Sequence, residues 1–164
     1  MIDQRLLADA KTIAAVYNVF AHDSARIAGG CLRDLYCGKP VKDIDILVEW
    51  ESQADYREVE IMADRLGYTW HNYQEGYGCN EDGQLRNVYT LTKDGHLPID
   101  IIFLNCSVQE RIEQFPVNAS MIWIEGDRLV THEKFDSFYA SGELEFTDTA
   151  PEEYIRRISD KYKD

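Results

Sequence analysis

The chain has 164 residues and 45% of them are apolar, which suits one ordinary domain with a hydrophobic core and argues against disorder. Its formal net charge of −13 disfavours a broad contact with a nucleic-acid backbone, because such affinity depends largely on lysine and arginine. The sequence contains no apolar run of about 18 residues, so no membrane span is predicted, and the charged N-terminus is not typical of a signal peptide. The cysteines form no Cys-x-x-Cys pair, which argues against zinc and indicates reduced thiols in the cytoplasm.

Two amphipathic helices are predicted in the first half of the chain, over residues 2–21 and 52–66. In the first helix, apolar side chains recur at three-and-four spacing, as expected for a face that packs into a core. These side chains are Leu6, Leu7, Ala10, Ile13, Ala14, Tyr17 and Phe20. In the second helix, the side chains predicted to point inward are Tyr56, Val59, Ile61, Met62 and Leu66. The second helix is expected to end at Gly67.

Between these helices, the sequence predicts a strand, a glycine turn, a short helix, a loop and a second strand. Gly29 and Gly30 lack a Cβ atom, so the backbone can turn sharply there and approach a ligand closely. A helix over residues 31–37 begins directly after them, and its first N–H groups suit a phosphate. Arg33 adds a positive charge of fixed geometry in the first turn. This stretch therefore indicates a site for a phosphorylated ligand.

Two acidic residues mark the start of the second strand of this stretch. Asp43 and Asp45 share one face of a strand, while Ile44, Ile46 and Val48 point into the core. Neighbouring carboxylates are unfavourable unless a cation neutralises them, and oxygen ligands at this spacing suit Mg²⁺ or Mn²⁺. Together with a triphosphate at the glycine turn, the pattern predicts two-metal phosphoryl or nucleotidyl transfer. The alternative is a plain turn followed by two surface acids.

The two motifs, Gly-Gly-Cys-Leu-Arg-Asp at residues 29–34 and Lys-Asp-Ile-Asp at residues 42–45, occur together in a strand–helix–strand context. In this combination they resemble the head of the class II CCA-adding enzymes and bacterial poly(A) polymerases. Those enzymes belong to the DNA polymerase beta-like nucleotidyltransferase superfamily. The resemblance implies an α/β (α+β) fold with a mixed, mostly antiparallel sheet and flanking helices. Asp34 is expected to brace the loop as a first-turn acid on its helix.

The resemblance also implies roles for the motif residues. Asp43 and Asp45 would be catalytic and would hold two Mg²⁺ ions, or Mn²⁺ ions. Gly29, Gly30 and Arg33 would bind the triphosphate of an incoming NTP.

A third acid is predicted on a neighbouring strand. Residues 68–73 are expected to form a short strand, and residues 74–83 a long polar loop that closes over a substrate or is a plain surface loop. Two further strands over residues 85–92 and 97–104 are joined by an Asp-Gly hairpin. Asp100 lies alone among apolar residues of the second of these strands, and a buried carboxylate needs a partner or a metal. In the superfamily that the chain resembles, a third acid often comes from a neighbouring strand, so the resemblance implies that Asp100 is the third catalytic acid, with a solvent-facing strand end as the alternative.

The similarity is looser after residue 105. A short helix over residues 107–115 is predicted, with a capping box at Ser107. The segment that follows resembles the family's Arg-Arg-Asp-Phe-Thr-Ile-Asn-Ala-Met segment, which places Asn118 among the nucleotide-binding residues. The Arg-Arg-Asp triplet of the family, which helps to hold the nucleotide's sugar and phosphates, is replaced here by residues 112–114, Ile-Glu-Gln. A second hairpin is predicted from residue 121 to residue 131.

The last predicted helix begins at Pro151. Its Glu152-Glu153-Tyr-Ile-Arg156 segment resembles the Glu-Asp-x-x-Arg motif of the family's neck. There the acid and the arginine read the Watson–Crick edge of the incoming base. The resemblance implies that Glu153 and Arg156 bind the nucleotide, and an ordinary surface ion pair is the alternative.

We therefore expect residues 1–150 to form a nucleotidyltransferase head and residues 151–164 to begin a neck-like helix. The expected activity is metal-dependent transfer of a nucleoside monophosphate from an NTP to a hydroxyl acceptor, with an RNA 3′ end as the favoured acceptor. RNA is expected to bind this chain alone only weakly. The alternative is a catalytically altered nucleotide-binding regulatory module or subunit, and a transferase toxin held by an antitoxin is a third option. Whether the chain forms a homo-oligomer or joins a partner subunit stays open.

Overall fold

The computed structural model describes residues 4–20, 24–49, 57–73 and 84–163. Within these ranges the chain forms a five-stranded sheet, a separate two-stranded hairpin and six α-helices. The strands are β1 (Ala25–Ile27), β2 (Ile44–Glu49), β3 (Thr69–Asn72), β4 (Leu85–Thr92), β5 (Ile99–Leu104), β6 (Ile122–Glu125) and β7 (Arg128–Thr131). The α-helices are α1 (Ala8–Phe20), α2 (Gly30–Tyr36), α3 (Arg57–Leu66), α4 (Val108–Glu113), α5 (Glu133–Ser141) and α6 (Glu152–Lys161). Short 3-10 helices cover Gln4–Leu7 and Asn118–Ser120.

The large sheet has the strand order β1-β2-β5-β4-β3. The neighbours β2 and β5 run parallel, and the other pairs in this sheet are antiparallel. All six residues of β5 are buried, so both faces of the sheet are covered at its centre. The predicted mixed, mostly antiparallel sheet with flanking helices is thus confirmed.

The helices cover the two faces of the sheet differently. On the face that carries Val48 and Phe103, α1 packs through Tyr17, whose ring meets the Phe103 ring edge-on at 5.7 Å. On the opposite face lies α4, where the Gln109 side chain accepts a hydrogen bond of 2.8 Å from Arg26 of β1. Because Arg26 is paired with Leu47, two residues beyond Asp45, this second face is the one that carries the acids.

The two predicted amphipathic helices are present, with local differences. Of the apolar stripe predicted for the first helix, five side chains are buried: Leu7, Ala10, Ile13, Ala14 and Tyr17. Leu6 lies in the 3-10 turn before α1 and is 44% exposed, and the side chain of Phe20 is outside the described part. In α3 the buried stripe runs through Val59 and Ala63, so Ile61 falls off that stripe and is 51% exposed, contrary to prediction. Residues 52–56, including Tyr56, and residues 74–83, where a loop is predicted, lie outside the described residues.

Both predicted hairpins are present, β4 with β5 and β6 with β7. The predicted cap of α4 is also found, since the Ser107 hydroxyl accepts a hydrogen bond of 3.1 Å from the Glu110 backbone N–H. The cysteines in the described ranges, Cys31, Cys37 and Cys106, are free thiols. Among the described helices, none is long and apolar enough to cross a membrane.

Candidate active site

A cleft of about 300 Å³ lies where the start of α2, the entry to β2 and one side of α6 come together. Its walls are both acidic and basic. The lining residues are Gly30, Cys31, Arg33 and Asp34 from α2, Lys42, Asp43 and Asp45 at the entry to β2, Ser120, and Tyr154, Arg157, Ile158 and Lys161 from α6. Residues more than 100 positions apart in the sequence thus form one site.

Two of the three predicted acids, Asp43 and Asp45, line this cleft, and Asp100 lies beside Asp45 in the sheet. Asp45 on β2 is the register partner of Asp100 on the parallel strand β5, so their side chains are neighbours on one face of the sheet. Asp43 comes directly before β2 and lines the same cleft. Asp100 is buried, and its Oδ1 accepts a hydrogen bond of 2.5 Å from the hydroxyl of Thr90 on β4. The structure therefore brings together the acids that the sequence pattern proposed.

These acids repel one another in the absence of a cation. Burial, with the nearby charges of Asp43 and Asp100, raises the pKa of Asp45 to about 8. Burial and the charge of Asp100 also raise the pKa of Asp43, although Lys42 and Arg157 act in the opposite direction. Negative charge at this point is unfavourable until a positive group arrives.

The donor set fits a hard divalent cation. Across the residues that the structure describes, no group of three or more His, Cys, Asp or Glu side chains is arranged to hold a metal ion by itself. Mg²⁺, however, is usually bound by one or two carboxylates, with water and substrate phosphates completing its shell. Asp43 and Asp45, which both line the cleft, could supply that pair of oxygen ligands.

The glycine turn has the backbone geometry that only glycine adopts readily. Gly29 has φ of +88° at the N-cap of α2, and its N–H donates to the carbonyl of Ile122 over 2.9 Å. A Cβ atom at Gly29 would also lie 3.4 Å from the Phe115 ring. Gly30, and not Gly29, lines the cleft.

Arg33 does not project freely into the cleft, because it belongs to a buried network. Its Nε donates to Asp34 Oδ1 over 2.9 Å, and its Nη1 donates to the Ser120 hydroxyl over 2.9 Å. Asp34 also accepts hydrogen bonds of 2.7 Å from Lys161 Nζ and 2.6 Å from the Tyr162 hydroxyl. The Asp34 side chain therefore joins α2 to the end of α6.

This network sets the charge state of Asp34. Burial alone would raise the pKa of its carboxyl, but the hydrogen bonds from Arg33, Lys161 and Tyr162 outweigh burial and lower the pKa below its usual value. Asp34 is only 4% exposed and Arg33 only 5% exposed, so the pair forms a buried ion pair with added donors.

The predicted base-reading pair lies elsewhere on α6. Glu153 and Arg156 are exposed and do not line the cleft. Tyr154 and Arg157, each one position further along, face the cleft instead, with the Arg157 guanidinium 5.4 Å from the centre of the Tyr154 ring. The phase of α6 is set by its buried residue Ile158. Apolar spacing at residues 154, 158 and 162 is the sequence signal that indicates this phase.

Asn118, predicted to bind nucleotide, holds the backbone after α5. Its Nδ2 donates to the Glu143 carbonyl over 3.1 Å, and its Oδ1 accepts from the Glu145 N–H over 3.0 Å. Asn118 is buried and does not line the cleft. In these contacts it fixes the segment that leads from α5 to α6.

The cleft contains one thiol, which is not activated. Burial and the neighbouring charge of Asp45 raise the pKa of Cys31 to about 12, so its thiol stays protonated at neutral pH. Thiolate catalysis by Cys31 is therefore disfavoured.

In fold, the chain is similar to solved structures of tRNA-processing enzymes. In particular, the chain is similar to the Thermotoga maritima CCA-adding enzyme in complex with tRNA, with a TM-score of 0.64 and 17% identity. That match covers 88% of this chain and 33% of the enzyme. A tRNA-processing enzyme in its apo form gives a TM-score of 0.65 at 18% identity, over 89% of this chain and 37% of that protein.

A third similar structure is a tRNA nucleotidyltransferase with a primer tRNA and an incoming ATP analogue. Its TM-score is 0.52 at 20% identity, over 71% of this chain and 33% of that protein. The chain thus spans about a third of the length of the proteins it resembles. No family model matches the sequence, and no curated protein sequence matches it either. The resemblance inferred from the motifs is confirmed at the level of the fold.

Proposed function

We propose that this chain is a minimal metal-dependent nucleotidyltransferase, which transfers a nucleoside monophosphate from an NTP to a hydroxyl acceptor. The observation that carries the proposal is the proximity of Asp43, Asp45 and Asp100, the first two of which line one cleft. The charged form of Asp45 is unfavourable there in the absence of a cation, so the site is suited to one. Similarity of fold to nucleotidyltransferase heads supports the same reaction class.

The chain's own residues have separate roles in this proposal. Asp43 and Asp45 would hold Mg²⁺ or Mn²⁺, which would polarise the phosphoryl group and neutralise the charge that develops on it. Asp100 would accept a hydrogen bond from the acceptor hydroxyl and orient it, while Thr90 holds the Asp100 carboxylate in place. Gly30 gives the backbone room beside the cleft, and Arg33 contributes positive potential from a fixed position.

An RNA 3′ end is the acceptor that we favour. Two of the similar structures contain tRNA, and their proteins are about three times as long as this chain. The net charge of −13 disfavours strong binding of RNA by this chain alone, so RNA would be held weakly or with a partner subunit. The free thiols fit the reducing cytoplasm that we propose as its location.

A second candidate function is a nucleotide-binding regulatory module without turnover. The observation that favours it is the site of the family's Arg-Arg-Asp triplet. Here Ile112 is fully buried in the core, and Glu113 and Gln114 are exposed. None of these three residues is basic, so none can bind a phosphate as an arginine would. Nucleotide contacts at this place therefore differ from those of the family.

Incubation with each α-labelled NTP, Mg²⁺ and total RNA separates the two candidates. A transferase incorporates label into RNA, and Asp45→Ala is expected to lower the rate by at least about a hundredfold, because metal-ion stabilisation of the transition state amounts to several kcal/mol. Asp148→Ala removes an exposed acid and is expected to leave the rate unchanged. Tight NTP binding without incorporation would support the regulatory module, and equal rates for Asp45→Ala and the native chain would contradict the assigned site.

A further inference from the structure

The triphosphate of an NTP needs positive charge, and the cleft contains four basic side chains that can supply it. They are Arg33, Lys42, Arg157 and Lys161. A phosphate-binding role for one of these side chains rests on the proposed function, since that function requires an NTP. It is also specific to this chain, because Ile112, Glu113 and Gln114 stand where the resemblance would place the Arg-Arg-Asp triplet.

Two of the four basic side chains are already balanced by Asp34. Arg33 donates to Asp34 and Ser120, and both of these contacts are buried. Lys161 Nζ lies 2.7 Å from Asp34 Oδ2 and 2.9 Å from the Pro40 carbonyl oxygen. Their charges hold α2 and α6 together, so they offer less to a ligand than a cation without such an acidic partner.

The remaining two, Lys42 and Arg157, are both exposed and both act electrostatically on Asp43, and Arg157 is the better placed because an aromatic ring supports its guanidinium. Arg157 lies on the cleft side of α6, is exposed, and acts electrostatically on Asp43, at the start of β2. Its guanidinium lies over the ring of Tyr154 at 5.4 Å. That ring is in turn fixed by an edge-on contact with Phe146, with the ring centres 6.3 Å apart. An aromatic platform therefore holds this guanidinium near the acids without neutralising it.

We propose that Arg157, held on Tyr154, binds the triphosphate of the incoming NTP and takes over a role that arginines before Asn118 would otherwise have. A metal held by Asp43 and Asp45 together with this guanidinium would attract a polyanion, and the triphosphate is the part of an NTP with that property. The planar guanidinium also matches two phosphate oxygens at once. The proposed role is independent of the base, so all four NTPs should depend on Arg157 equally.

Calorimetry with inorganic tripolyphosphate and Mg²⁺, followed by each of the four NTPs, tests this assignment. Arg157→Ala is expected to weaken binding of tripolyphosphate and of every NTP by about tenfold or more, the effect of losing one charge-assisted hydrogen bond. Arg157→Lys should retain part of the affinity because the charge is kept. Lys134→Ala on α5 removes one exposed positive charge outside the cleft and controls for net charge. Arg156→Ala tests the rival position on the same helix, and thermal unfolding of each variant checks that it is folded.

Three results with the variants would overturn the inference. They are unchanged tripolyphosphate binding in Arg157→Ala, a larger loss in Arg156→Ala, and a loss confined to one NTP, which would make Arg157 a reader of the base. Failure of the native chain to bind Mg²⁺-tripolyphosphate would overturn it as well. Failure of the proposed function is distinguishable from failure of this inference. If the native chain binds all NTPs through Arg157 but labels no acceptor, this inference stands and the transferase activity is ruled out.

Discussion

Two charged clusters share one cleft, one around Asp34 and one around Asp45. They differ in how the charge of the central carboxylate is balanced. Asp34 accepts hydrogen bonds from Arg33, Lys161 and Tyr162, and these lower its pKa. Asp45 lies beside two further acids, and its pKa is raised to about 8. Both carboxylates line the same cleft, so their difference comes from their neighbours rather than from depth alone.

The comparison teaches which acid belongs to the scaffold and which is suited to chemistry. A carboxylate with complete partners stabilises the fold and has little to offer a ligand. A carboxylate beside other carboxylates destabilises the fold until a cation arrives, and perturbed groups of this kind are common at functional sites. Removal of each acid should therefore change stability in opposite directions.

The largest expected effect is on the Asp34 cluster. Asp34→Ala should lower the free energy of unfolding by about 3 kcal/mol, because it leaves the buried Arg33 guanidinium without its carboxylate. A urea titration monitored by circular dichroism measures this change. Asp160→Ala, which removes an exposed acid from α6, is the matched control and should change the value by less than about 0.5 kcal/mol. Equal stability of Asp34→Ala and the native chain would make the buried network unimportant.

The difference in unfolding free energy between the native chain and Asp34→Ala should depend on pH. Because the pKa of Asp34 is lower in the folded than in the unfolded chain, its stabilising contribution is complete above the unfolded value of about 3.9 and is lost as pH falls through the folded pKa. The stability difference between the native chain and Asp34→Ala should stay constant from pH 7 to about pH 5 and shrink below about pH 4. A series of urea titrations across this range measures it. A difference that grows on acidification would reverse the sign of the assignment.

The smallest expected effect has the opposite sign. Asp45→Asn should raise the free energy of unfolding by about 1 kcal/mol in metal-free buffer, since the amide has the shape of the carboxyl group without its charge. The measurement is urea unfolding with a chelator present. Asp34→Asn in the same buffer should lower the stability. If both variants lose stability, the two clusters do not differ in the way the structure indicates.

Local features of the site could be predicted from the sequence. The order of strand, glycine turn, helix and strand depends on neighbouring residues, so Gly29, Gly30, Asp43 and Asp45 fall where the pattern places them. Asp100 could be proposed because one acid interrupts an apolar strand, and the parallel register then sets it beside Asp45. These inferences need little information beyond the periodicity of a strand.

Features that depend on distant contacts could not be predicted. The partners of Arg33 include Ser120 and Tyr162, and no local pattern connects positions so far apart. The motif spacing on α6 favours Glu153 and Arg156, but the helix turns toward the face that buries Ile158, and this places Arg157 in the cleft. Which face a short helix buries depends on the elements it packs against. A single sequence gives only weak information about those partners.

The link between α2 and α6 has a kinetic consequence. The bonds of Lys161 and Tyr162 to Asp34 span 127 and 128 positions, so they close one of the longest loops that this chain could form. Contacts of that range form late, after local hairpins such as β4 with β5 have already assembled. The last helix has few buried side chains, with Ile158 as its buried residue, and should exchange its amide hydrogens before β5 does. We therefore expect the α6 side of the cleft to assemble late during folding and to open early in the native state.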